Sequence, residues 1–303
     1  MQSRVPHVIP YQGSKKGLAE RICALIPRGT EVLYEPFAGS AAVTLYAASN
    51  NIAKHYVISD TLEPLTNLWI EIINNPEATA KKYENVWCGD KEIAYDHFLA
   101  VRDRFNTSKD PIDLLYLVAR CVKNAVRFNK HGNFTQSADK RRLGTNPKTM
   151  AKSILAASHV LKGKSTVLCG DFRDSIKKAT SSDLVYMDPP YHGTTYGRDK
   201  RYFMQLDRES LTEGLEYLNN KNVPFILSYD GKTGDTEYAE ELPRSLMMER
   251  LWISAGRSSQ ATLSGREQET VESLYLSSHL SHHADNWCQK TGIRTDQQAS
   301  LFA

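Results

Sequence analysis

The chain has 303 residues, 41% of them hydrophobic and 24% charged, which suffices for one large or two smaller domains with a buried core and excludes wholesale disorder. Its 38 Lys and Arg against 35 Asp and Glu leave a formal charge of +3, too small a total to name a partner. Five scattered cysteines without a Cys-x-x-Cys pair argue against a disulfide framework or a structural zinc; residues 1–4 carry no apolar leader, and no stretch approaches the roughly 20 apolar residues of a membrane span, so a cytoplasmic protein without a metal or membrane anchor is expected.

Ser14 stands where a cap would start a helix whose apolar residues Leu18, Ile22, Leu25 and Ile26 recur at helical spacing. Residues 31–37 read as a buried strand, followed by the small-residue turn Ala38-Gly39-Ser40-Ala41-Ala42 and a helix to about residue 48. A strand over 55–60 and a helix over 65–73 repeat the pattern, and this alternation implies a parallel α/β sheet. From residue 76 to about 161 the periodicity is helical, with candidate helices at 92–105, 112–126 and 148–161. The polar, basic connection at 127–146 is long for a loop, which points to function or mobility. Strands return at 165–171, 183–188 and 223–230, with a helix at 208–220 before the last. A β-hairpin of strands 246–253 and 271–276 closes the pattern, and residues beyond 282 read as a frayed tail. The economical plan is an α/β unit of residues 1–75 and 165–280, a helical insertion at 76–164 and a tail at 281–303.

Charge and motifs give this plan chemical content. Residues 120–164 hold eleven basic side chains and one acid, Asp139, a net +10 that leaves −7 for the remainder. Such a block suggests a polyanion contact, the alternative being a solvated basic face. Asp188-Pro189-Pro190-Tyr191 follows the apolar run 184–187, and two prolines cannot continue a central strand. The chain therefore breaks at a carboxyl edge, where open α/β sheets bind ligands. The Asp188 carboxylate, the Pro189 carbonyl and the Tyr191 ring suit a flat aromatic amine, with two acceptors and a stacking face; a strand-ending turn with Tyr191 as core is the plainer reading. Around Glu35-Pro36-Phe37-Ala38-Gly39, small residues let the backbone approach a ligand at a helix N-terminus. Asp60 ends the next strand, where an acid meets a ribose in nucleoside-binding units or merely caps a helix. Tyr11-Gln12-Gly13-Ser14-Lys15 adds a tight turn and a lysine able to meet a carboxylate.

Taken in this order, the Tyr11-to-Lys15 element, Glu35-Pro36-Phe37-Ala38-Gly39, a basic insertion and Asp188-Pro189-Pro190-Tyr191 resemble the Dam-like, D12-class DNA adenine-N6 methyltransferases. The resemblance extends to about residue 277, and the stretch 188–202 is most similar to modification enzymes of restriction systems. It implies a Rossmann-like S-adenosylmethionine-dependent methyltransferase sheet with a mainly helical target-recognition insertion and a C-terminal β-hairpin, acting on double-stranded DNA in a prokaryotic or phage setting as a monomer or weak dimer. It also implies that Tyr11 and Lys15 contact the methionine end of S-adenosylmethionine, that Glu35, Phe37, Gly39 and Asp188 line the same pocket, that Asp60 holds the ribose and that Asp171 and Phe172 address the cofactor adenine. Asp188, Pro189, Pro190 and Tyr191 would hold a flipped adenine. Arg127, Lys130, Lys140, Arg141 and Arg142 become candidate phosphate or guanine contacts, and Asn129, Asn133 and Gln136 candidate adenine readers. Arg198, Arg201 and Arg257 would add further DNA contacts.

One position departs from the pattern: many members carry a second glycine where Ala41 stands, and the expectation is that Ala41 already lies in the helix, where alanine is favoured. Methylation of the cytosine N4 amine stays open, since the same four residues serve it, although serine is commoner there at the Asp188 position. An RNA or protein methyltransferase is a more distant alternative, because amide-modifying relatives usually carry asparagine at that position.

Overall fold

The computed structural model describes residues 5–190, 206–233, 236–237, 242–257 and 269–283. A 3-10 turn at Lys15–Gly17 leads into α1 (Ala19–Cys23), shorter than the apolar spacing suggests, although Leu18, Ile22, Leu25 and Ile26 are all buried. Ser14 does not cap this segment through its side chain; its hydroxyl instead accepts from the Ser40 hydroxyl at 2.8 Å, tying the first turn to the second. The expected alternation follows as β1 (Val32–Glu35), α2 (Ala42–Ser49), β2 (His55–Asp60) and α3 (Glu63–Asn74). Leu68, Trp69 and Ile72 share one fully buried face of α3, each contributing about 1.5–3 kcal/mol by leaving water.

Residues 76–161 form α4 (Pro76–Val86), α5 (Ala94–Ser108), α6 (Pro111–Arg120) and α7 (Pro147–Leu161). Proline opens α4, α6 and α7 at a position where its missing N–H is not needed. The periodicity carries a helix to residue 126, but α6 stops at Arg120. Lys123 and Asn124 are both left-handed, at φ 57 and 52, and the Asn124 amide donates to the Val118 carbonyl at 2.9 Å, closing the helix end. The connection at 121–146 is not a bare loop: Cys121 bridges Ala138, Phe128 bridges Phe134, and the rings of Phe105, Phe128 and Phe134 pack together.

The chain then forms β3 (Ser165–Cys169), α8 (Phe172–Ile176), β4 (Leu184–Met187), α9 (Arg208–Asn220), β5 (Phe225–Thr233), the two-residue β6 (Thr236–Glu237), β7 (Glu249–Arg257) and β8 (Glu269–Leu276). The sheet order is β3-β2-β1-β4-β5-β8-β7, with β6 paired to β5. The first five strands in that order are parallel, and β8 lies antiparallel between β5 and β7, so the α/β sheet is mixed and mostly parallel. One apolar core joins Leu33 and Ile58 of the sheet to Trp69 and then to Phe98, Phe105 and Leu115 of the insertion. A second core on the opposite face gathers Tyr34, Val185, Phe172 and Leu215. Among the described residues, no helix is long and apolar enough to cross a membrane, and no group of three or more His, Cys, Asp or Glu is placed to hold a metal ion.

Candidate active site

Parallel strands carry their carboxyl ends to one edge of a sheet. Here β1 ends in Glu35, β2 in Asp60, β3 leads to Asp171 and β4 to Asp188, and these four acids border one cavity together with residues 11–15. Pro189 and Pro190 line the same cavity.

Lys15 lies deep in it, 7% exposed, with its ammonium donating to both oxygens of Asp188 at 2.8 and 2.9 Å. Glu272 of β8 approaches the same ammonium at 3.5 Å. Burial by itself would lower the Lys15 pKa, but Asp188 and then Glu272 outweigh it and hold the amine well above its usual value. Lys15 thus faces the expected cavity, with Asp188 and Glu272 around its ammonium.

Glu35 is buried and accepts the Thr44 N–H at 2.7 Å, so it anchors the first turn of α2. Burial pushes its carboxyl up to about 7 against the opposing bonds from Thr44 and Val43. Asp60 accepts from Gly39 N–H at 3.1 Å and Leu62 N–H at 3.0 Å, binding two turns, while each oxygen keeps a second lone pair. Burial raises its carboxyl, and those backbone bonds act against the rise. Gly39, at φ +48, lies against the Tyr11 ring, and its carbonyl accepts from the Trp69 indole at 3.1 Å.

Ala41 is not yet in the helix. It sits at φ 47 and ψ 41 as the N-cap of α2, with no side-chain cap bond. Ala41 N–H closes the turn on the Ala38 carbonyl, and Ala41 then enters α2 through a left-handed conformation that glycine adopts freely.

On the far side, the rings of Phe37 and Phe172 lie 5.1 Å apart, and Gly214 of α9 lets Phe172 settle: a Cβ there would stand 2.5 Å from the ring. Asp171 caps α8 and pairs with Arg173 at 2.9 Å, a bond that holds its carboxyl below the usual range. Val126 and Phe128 bring the insertion itself to the cavity wall.

Lys130, Lys140 and Arg141 are exposed on the insertion, and Arg127 is partly buried. Arg142 is also exposed, but pairs with Asp139 at 2.7 Å. The Asn129 side-chain oxygen accepts from the N–H groups of His131 and Asn133, and that of Gln136 from Ser137 N–H. The Asn129 oxygen thus spends both lone pairs on its own turn, whereas the Gln136 oxygen keeps one. Tyr191, Arg198 and Arg201 lie outside the described residues; of Arg257 the backbone is described, paired with Glu269. Glu272, Trp69, Gly214, Val126 and Phe128 were not legible as site residues, since none lies in a recognisable motif; the Val271-Glu272-Ser273-Leu274-Tyr275 run signals only a closing strand.

Residues 11–258 match the family model described as D12 class N6 adenine-specific DNA methyltransferase. The chain is similar to the retron Ec67 DNA adenine methylase of Escherichia coli, 27% identical over 268 residues that cover 84% of this chain and 88% of that one. It is 26% identical over 286 residues to the type II methyltransferase M.FokI of Planomicrobium okeanokoites, covering 90% of this chain but 43% of that enzyme. A DNA adenine methylase of Serratia marcescens is 27% identical over 232 residues, 73% of this chain and 82% of the relative.

Proposed function

The chain belongs to the D12 class N6 adenine-specific DNA methyltransferases, and from that premise we propose that it takes a methyl group from S-adenosylmethionine and delivers it to an adenine turned out of a DNA duplex, as the modification enzyme of a restriction system. The observation that carries this reading is that Asp188, held by Lys15, and the Phe37–Phe172 ring pair line one cavity.

The donor set fits S-adenosylmethionine. Phe37 and Phe172 offer aromatic faces for an adenine, Asp171 an acceptor for its amine, Asp60 lone pairs for ribose hydroxyls, and Tyr11 over Gly39 a wall for the methionine end. When bound, that cofactor supplies an activated sulfonium methyl. Asp188 and the Pro189 carbonyl accept the two hydrogens of the target amine and draw its nitrogen toward tetrahedral geometry, releasing a lone pair otherwise delocalised into the ring. The acceptance strengthens as positive charge develops on nitrogen, so it favours the transition state. Lys15 donates to both Asp188 oxygens and so orients the carboxylate with its remaining lone pairs toward the cavity. Turning a base out costs a few kcal/mol, which stacking on Tyr191 offsets in part.

Residues 76–164 serve as the target-recognition unit between the two parts of the catalytic domain, 1–75 and 165–280, with 281–303 as a tail. Lys130, Lys140 and Arg141 contact phosphates, joined by Arg127, Arg142, Arg198, Arg201 and Arg257. The enzyme works in the cytoplasm on DNA, as a monomer or weak dimer. Incubation with methyl-labelled S-adenosylmethionine and unmethylated duplex DNA, followed by digestion to nucleosides, is expected to yield labelled N6-methyladenine at one recurrent sequence. Label in N4-methylcytosine, in RNA or in protein, or adenine labelled without sequence preference, overturns the reading.

A further inference from the structure

Resting on the methyl-transfer reading above, we propose that Glu272 is a positioning residue: from β8 it draws the Lys15 ammonium partly off Asp188 and so sets how strongly Asp188 accepts the target amine. Lys15 is shared by two carboxylates that differ in distance, 2.8 Å for Asp188 and 3.5 Å for Glu272. Glu272 is held from both sides, opposite Gly231 of β5 and Ile253 of β7, so the sheet fixes its place. Its Oε2 is buried and makes no hydrogen bond, which leaves the Lys15 charge as what that oxygen faces.

Each Asp188 oxygen spends one lone pair on the ammonium, and the incoming amine must use another. Acceptor strength falls as positive charge concentrates on those oxygens, and a second carboxylate on the far side of the ammonium disperses it. The charged and titratable groups around this centre are Lys15 from the amino-terminal segment, Asp188 and Tyr186 from β4 and its end, Glu35 from β1 and Glu272 from β8. Burial holds the Glu272 carboxyl above the usual range, Lys15 opposes this and Asp188 adds to it. Protonating Glu272 as pH falls therefore mimics its removal.

The test compares wild type, Glu272→Gln and Glu272→Asp in kcat, KM for S-adenosylmethionine, duplex affinity, melting temperature and the pH profile of kcat. Glu272→Gln is expected to lose about tenfold in kcat, with KM, duplex affinity and melting temperature near wild type. It is also expected to flatten the acid limb of the kcat profile, and Glu272→Asp to recover part of both. In a Lys15→Met background, adding Glu272→Gln is expected to leave the residual kcat within twofold. Wild-type kcat in Glu272→Gln, an unchanged acid limb, or the same tenfold loss without Lys15 overturns the proposal. Should Glu272→Gln not fold, Glu272→Asp decides alone: wild-type kcat and acid limb there overturn it. Wild-type enzyme that forms no N6-methyladenine overturns both readings; a normal product with an unaffected Glu272→Gln overturns this one only.

Discussion

Lys15 and Asp188 stand 173 positions apart in sequence, yet the lysine ammonium donates to both oxygens of the aspartate at 2.8 and 2.9 Å. The pair joins the amino-terminal turn to the end of β4 and holds the carboxylate that the proposed mechanism uses as an acceptor. Asp188→Asn keeps an oxygen for Lys15 but turns the other acceptor into a donor. It is expected to lower kcat by about 100-fold or more while duplex binding stays within a few-fold. Steady-state methylation and fluorescence titration with duplex check this, and near-wild-type turnover would remove Asp188 from the mechanism.

Ala41 holds a left-handed conformation at the N-cap of α2. Ala41→Gly relieves that conformation and removes a methyl that is fully buried. Relief of about 1 kcal/mol or more is expected to outweigh the lost contact, and denaturant unfolding is expected to show a net gain of roughly 0.5–1 kcal/mol. A net loss would mean that the methyl contact matters more than the backbone strain.

Gly214 sits where any Cβ would meet the Phe172 ring at 2.5 Å. Gly214→Ala is expected to push Phe172 toward the cavity and raise KM for S-adenosylmethionine about tenfold, with kcat changed less than threefold. A kcat loss at constant KM would place the Phe172 ring elsewhere in the cycle.

Glu35 carries a carboxyl raised to about 7 from an ordinary 4.5, chiefly by burial. A raised acid in the folded state means that the native protein holds the proton more tightly than the unfolded chain. The Glu35 contribution to stability is therefore greatest below about pH 4.5, declines as pH rises to about 7, and has lost on the order of 3 kcal/mol above that. The difference between wild type and Glu35→Gln in unfolding free energy, followed across this window, is expected to show that slope; parallel curves would contradict it.

Lys140 and Arg141 are exposed, whereas Arg142 is tied to Asp139. Replacing Lys140 and Arg141 by Gln is expected to reduce the slope of log affinity against log salt by about 2, and Arg142→Gln by clearly less than 1. An unchanged slope in the double variant would refute the assignment of the basic insertion to phosphate binding.

The sequence by itself determined the order of chemistry along the chain. Alternating apolar runs marked the parallel strands, two prolines after 184–187 marked a carboxyl edge, and the imbalance over 120–164 marked the basic insertion. These features are local, because periodicity, proline geometry and charge act within a few residues of where they are written. What only the tertiary structure decided depends on partners distant in sequence. Lys15 reads as a lysine facing a ligand, and only the fold shows that Asp188 and Glu272 also engage it. Asp60 and Glu35 read as acids facing a ligand, and only the fold shows that they also bind the backbone N–H groups of Gly39, Leu62 and Thr44. Ala41 reads as the first residue of a helix, but the structure places it as the left-handed N-cap that precedes α2. In each case residue type and local spacing name the group, but the competition among neighbours for its charge or its lone pairs is settled only when the sheet brings those neighbours to one edge.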